Sequence, residues 1–210
     1  MPVDDTEDTM ALAKLQAQDR FLVRQHFTVM VNRYDIVTWP ADAKPGELLA
    51  TSQQKRMTFR EEATFYADAE RTRRVFRFKS RKKLDVRGQT DVFDADDRSV
   101  GLFRKDFGTS LWRSTWYLAQ PDLGECRGQE RNPVVAVLRR IWDLVPFVGD
   151  LPFVWPYHFD FTTADGRPVM TVERKFGSIR DAYRVTVHDP ALDRRLAAAM
   201  AVGLDVLQSR

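Results

Sequence analysis

The sequence predicts a mainly β protein whose sheet closes around an apolar C-terminal helix. Three observations carry that expectation. First, Leu196, Ala197, Ala198, Ala199, Met200, Ala201, Val202, Gly203 and Leu204 follow one another without a polar residue. A helix built from them is apolar on every side, so it either crosses a membrane or is enclosed by protein. A span needs about 20 apolar residues, and this run is bracketed by Arg194, Arg195 and Asp205, so enclosure is the reading taken. Second, most of the preceding chain alternates apolar and polar residues with the period of a strand. Third, a strand–turn–strand unit recurs along the chain.

Length and composition fit this picture. A chain of 210 residues, 43% hydrophobic and 30% charged, suits a single globular domain with one sizeable core. Cys126 is the lone cysteine, which rules out an intramolecular disulfide and fits a reducing cytoplasm. Asp4, Asp5, Glu7 and Asp8 open the chain, the reverse of the basic start of a signal peptide. A formal charge of +3 and a pI near 9.1 give too small an excess to predict nucleic-acid binding.

Taken in order, residues 1–20 read as a loosely held acidic tail with a short helical turn at Met10, Leu12 and Leu15. Residues 21–210 form the domain. Its first strand runs from Phe21 to Val31, rich in branched and aromatic residues, and Pro40 and Pro45-Gly46 close that section. Further strands are predicted over 48–52, 56–59, 63–66, 75–79, 84–86, 91–93, 100–103 and 111–118. Phe76 and Phe78 would face one side and Arg77 and Lys79 the other. Tyr157, Phe159 and Phe161 resume the pattern, and Tyr183, Val185 and Val187 repeat it.

The repeat appears at an offset of about 69 positions. Ala95-Asp96-Asp97-Arg98-Ser99-Val100 matches Ala164-Asp165-Gly166-Arg167-Pro168-Val169, and Phe107-Gly108-Thr109 matches Phe176-Gly177-Ser178. Each copy carries a basic pair, Arg104-Lys105 or Arg174-Lys175. Repeated hairpins of this kind build a meander that can curl and close, which removes its exposed edges. Between the copies, residues 124–156 form an insertion. Asn132 and Pro133 open a helical pattern, and the proline-rich apolar stretch 146–156 ends it. This insertion is read either as a lid on the barrel or as a contact surface in which Trp142, Phe147, Phe153 and Trp155 meet a membrane or a partner protein. Asp189 as cap and Pro190 in the first turn then start the terminal helix, predicted over 190–207.

These features resemble the tubby C-terminal-like superfamily, in its LURP-one-related and phospholipid scramblase-like branch. The resemblance spans roughly residues 20 to 207. It implies a closed antiparallel barrel of about twelve strands threaded by the C-terminal helix, and a role in binding, with anionic lipid headgroups among the ligands of such proteins. The scramblase-like members carry an acidic calcium segment before a longer helix. Here His188-Asp189-Pro190 stands in that place, and lipid movement across the bilayer is not implied.

The remaining chemistry is sparse. Arg77, Lys79 and Arg81 share one strand face with Lys82 and Lys83 in the turn that follows, and with Arg104 and Lys105 they are the candidate anion-binding residues. The competing reading is a solvated basic face. Asp91, Asp94, Asp96 and Asp97 fail the EF-hand pattern, because Ser99 and Lys105 occupy its sixth and twelfth positions. His26, His158 and His188 have no metal-ligand spacing, and no nucleophile motif or phosphate-cradling glycine loop is present. The sequence therefore predicts no catalytic residues, no metal, no cofactor, no transmembrane span and no nucleic-acid partner. The functional expectation is a non-enzymatic cytoplasmic binding module at the inner membrane surface, recognising anionic phospholipid headgroups. A protein–protein adaptor using 146–156 is the second reading, and a lipid-related enzyme or scramblase the third.

Overall fold

The computed structural model describes residues 5–27, 31–39, 46–55, 62–81, 88–106, 115–131, 158–175 and 182–208. Twelve strands follow in chain order: β1 Arg20–Phe27, β2 Val31–Thr38, β3 Leu48–Lys55, β4 Glu62–Tyr66, β5 Arg74–Ser80, β6 Gln89–Asp94, β7 Ser99–Asp106, β8 Thr115–Gln120, β9 Gly124–Glu130, β10 His158–Thr162, β11 Pro168–Lys175 and β12 Ala182–Val187. Each is antiparallel to the next, and β12 pairs back onto β1 through Phe21 opposite Val185. The barrel is thus closed and leaves no strand edge between these twelve. Helix α1 spans Asp5–Gln16 and helix α2 spans Arg194–Gln208.

The strand alternation read from sequence sets which residues face inward. Phe76 and Phe78 are buried while Lys79 is exposed, and Phe159, Phe161, Tyr183 and Val185 also point into the core. Inside lies α2, buried from Leu196 through Asp205. Small side chains let it fit: a Cβ added at Gly203 would stand 2.6 Å from the ring of Phe103. Phe65 and Phe76 stack at 4.5 Å on the facing wall.

The internal repeat is a structural one. Asp94 N–H donates to Arg98 O, and Thr163 N–H donates to Arg167 O, at equivalent positions. Both hairpins place a residue in the left-handed region, Asp97 with φ 65° and Gly166 with φ 85°. The register shifts that bend the strands also match, between Val92 and Phe93 in one copy and Phe161 and Thr162 in the other. The basic-pair residues Arg174 and Lys175 close β11 as Arg104 and Lys105 nearly close β7; the Phe-Gly pairs at 107–108 and 176–177 lie outside the described residues.

Four expectations are corrected. Residues 5–16 form a twelve-residue helix rather than a loose tail, because Leu15 is fully buried and the Gln16 amide donates to Asp193 Oδ1 at 2.7 Å. The predicted strand from Phe21 to Val31 belongs to two strands, β1 and β2; no Gly or Pro separates them, so composition alone does not divide them. Residues 124–130 are not insertion but strand β9, whose inward positions are Cys126, Gly128 and Glu130. Finally, α2 starts at Arg194, and its cap is Asp193, which accepts the Arg195 N–H at 2.8 Å. Asp189 instead holds the preceding turn by accepting the Ala191 N–H. The predicted strands 56–59 and 84–86 lie outside the described residues.

Because directions alternate, the barrel has two distinct ends. The near end carries the turns 95–98, 121–123 and 163–167 and the start of α2. The far end receives the last residues of β1, β3, β5, β7, β9 and β11, and α2 finishes there.

Candidate functional site

The predicted cations divide by strand phase. On the outer wall, Arg77 lies mid-strand on β5 with its Nε 2.7 Å from Asp97 Oδ1 and its guanidinium 3.2 Å from Glu62 Oε1. Its plane rests over Phe93, 4.4 Å from the ring centroid. Hydrogen bonding from Arg77, aided by the charge of Arg74, holds the Asp97 carboxyl below the usual carboxylate range. Lys79, at 59% side-chain exposure, stands 3.7 Å from Glu62. Arg81 grips Asp91 with two bonds of 2.6 and 3.1 Å, and Arg104 bonds Glu125 at 3.0 Å while lying over Tyr117. Each of these four cations has a carboxylate partner, so the outer wall is charge-compensated.

Lys105 is different. It shares the inward phase of Gly101 and Phe103, and its ammonium sits over the indole of Trp116, 5.6 Å from the ring centroid. The adjacent pair Arg104-Lys105 is therefore split between the outside and the inside of the barrel.

At the far end the inward positions change from apolar to polar. Trp116 on β8 is opposite Lys105 on one side and Gly128 on the other, and Glu130, two residues along β9, is buried. Across the barrel, Gln25, Tyr34 and Ser52 are buried on β1, β2 and β3, in a single register row. Arg174 faces Tyr183 across β11 and β12. Asp205, buried at the end of α2, accepts the hydroxyls of both Tyr34 and Tyr183. Among the described residues of this layer, the indole N–H of Trp116 and the hydroxyl of Ser52 have no hydrogen-bond partner.

Lys82, Lys83, Trp142, Phe147, Phe153 and Trp155 lie outside the described residues. Sequence reasoning missed Trp116, Glu130, Ser52, Tyr34, Tyr183 and Asp205. For Trp116 the signal was present, since it shares the strand phase of Leu118; for Asp205 it was the single acid closing an apolar helical run. Among the described residues, no three His, Cys, Asp or Glu side chains are grouped to hold a metal ion, and no helix is long and apolar enough to cross a membrane.

The fold and the two-ended barrel agree with a family match: the model of the LURP-one-related family matches residues 49–205. The chain belongs to the LURP-one-related family. That family is part of the tubby C-terminal-like superfamily, in keeping with a closed barrel around a C-terminal helix. No curated protein matches the sequence. The matched span of this LURP-one-related chain begins in β3 and ends within α2.

Proposed function

We propose that this LURP-one-related protein is a non-enzymatic binding module for anionic phospholipid headgroups, working at the cytoplasmic surface of a membrane. The observation that carries the reading is convergence at one end. Lys79 and Arg81 stand at the far end of β5, Arg104 and Lys105 at the far end of β7. The segment with Lys82 and Lys83 continues directly from Arg81, and the segment with Trp142, Phe147, Phe153 and Trp155 joins the far ends of β9 and β10. Cations gathered at one end of the barrel suit an interface of headgroups, where each cation near an anionic leaflet contributes about 1 kcal/mol.

Flotation with vesicles of neutral and of anionic phospholipid tests the reading. Binding is expected to anionic vesicles alone, falling as salt rises because the contacts are screened. Replacing Lys79, Arg81 and Lys105 together by glutamine should weaken binding by up to about 100-fold. Equal partitioning onto neutral vesicles overturns it.

A further inference from the structure

We infer that the barrel wall is built to open along the far half of the junction between β3 and β4, and that this seam yields when the far end meets an anionic phospholipid surface. The response to the membrane rests on the headgroup reading; the opening itself does not.

The pairing singles out this junction. β3 and β4 share one register pair, Thr51 opposite Tyr66, whereas every other junction pairs over at least four residues. Antiparallel geometry would carry that register from Ser52 opposite Phe65 on to Lys55 opposite Glu62, yet both strands are described throughout and no such pair forms. Each strand is bound on its other side instead. β3 pairs with β2 from Leu48 to Lys55, and Thr51 gives its hydroxyl to Asp35 on β2. β4 pairs with β5 from Glu62 to Tyr66; Phe65 stacks on Phe76, and Glu62 meets Arg77 and Lys79. Among the side chains described, no hydrogen bond or ion pair joins β3 to β4. A strand segment opens more readily the fewer bonds it must break.

The two halves of the seam are not alike. At the near end α1 lies against β3, β5 and the start of α2, with Leu15 fully buried and Lys14 2.7 Å from Glu47, so a clasp spans the junction there. Behind the far half stand Ser52, Ala63 and Phe65. Ser52 is 0% exposed and its hydroxyl has no hydrogen-bond partner. A buried hydroxyl is penalised while unpaired and recovers its bonds once water reaches it, so the closed seam carries a bias toward opening. Ala63 offers little apolar area to oppose that bias. Opening bares Phe65 toward the end where the headgroup cations gather; water penalises that exposure, whereas the acyl region of a leaflet does not.

Amide hydrogen exchange of the full-length protein, read by mass spectrometry with residue-level fragmentation, tests the inference. The amides of residues 52–55 and 62–65 that are turned toward the seam are expected to exchange at least about 100-fold faster than those shared by β1 and β2. Ser52→Ala removes the unpaired hydroxyl at little cost in volume and should slow the seam amides about tenfold while leaving β1 and β2 unchanged. Anionic vesicles should speed them about tenfold, and neutral vesicles should not. Seam amides as slow as those of β1 and β2, or unmoved by Ser52→Ala, overturn the opening. Binding to anionic vesicles with unchanged seam rates overturns the response to the membrane and leaves the headgroup reading standing. Failure to bind those vesicles, with fast seam amides that slow in Ser52→Ala, overturns the headgroup reading and the membrane response with it, and supports the opening.

Discussion

Tyr183, at the far-end start of β12, donates its hydroxyl to Asp205, near the end of the helix that this strand leads into. Tyr34 donates to the other carboxylate oxygen from β2. From Leu196 to Leu204 the buried helix is held by apolar contact, which is non-directional, so these two bonds fix the rotation and depth of its far end as Arg194 does at its start. Tyr34→Phe and Tyr183→Phe should each destabilise the protein by about 1–3 kcal/mol, since each withdraws a donor from a buried carboxylate. In the double variant, Asp205→Leu should recover part of the loss, because a buried charge with fewer donors is itself destabilising. Urea denaturation measures all of these; single losses under about 0.5 kcal/mol would show that the tyrosines do not anchor the helix.

Gly203 on the helix lies against the ring of Phe103 on the wall. Alanine is the better helix former by about 1 kcal/mol, but its Cβ would stand 2.6 and 2.8 Å from two ring atoms of Phe103. The clash should win. Gly203→Ala is expected to lose about 1–3 kcal/mol, and Phe103→Leu should cost less in that background than in the parent. A thermal melt of the four proteins in this cycle checks it, and independent, additive losses would mean that the two residues do not meet.

The architecture was legible where side chains obey a period. The alternation of Phe76, Arg77, Phe78 and Lys79 and the unbroken apolar run from Leu196 gave wall and filling correctly. The repeat gave the hairpins, because turn chemistry at Asp97 and Gly166 is local. Strand β9 was not legible for a physical reason: Gly128 contributes no apolar bulk, and Phe161 from the neighbouring strand fills its place. The cations were legible only as a group. Reading Arg104 and Lys105 as one basic pair overlooked that neighbours on a strand face opposite ways; Glu62 was legible as a nearby acid that offsets the basic stretch, whereas no sequence pattern foretold that Asp91, Asp97 and Glu125 would compensate the outer wall.

Cys126 illustrates how far the closed barrel isolates its contents. It is an inward residue of β9, fully buried, and burial pushes its thiol upward in pKa. Reaction with an aromatic disulfide reagent requires the thiolate and access. In the native protein it should run more than about 100-fold slower than in urea, at a rate set by opening of the barrel. A fast native reaction would mean that the β8–β9 wall opens locally.

The near end makes a pH-dependent contribution through Asp193. Burial pushes its carboxyl up, but the hydrogen bond and charge of Arg195, the Gln16 amide from α1 and the Arg195 backbone N–H together outweigh it, so the group titrates below its ordinary value of 3.8. A carboxylate depressed in the folded state adds stability above its unfolded pKa and loses that stability as pH falls through the folded one. The protein should therefore weaken as pH drops below about 4, with the grip of α1 on α2 loosening because Gln16 bridges them by donating to Asp193 and accepting the Arg194 N–H. Asp193→Asn keeps a capping oxygen for the helix while removing the charge. Its urea midpoint should change less than the parent's between about pH 5 and about pH 3, although Asp160 and Asp68, also held below the usual range, leave some slope. Parallel decline of the two proteins would show that this carboxylate is not what ties the N-terminal helix to the barrel at neutral pH.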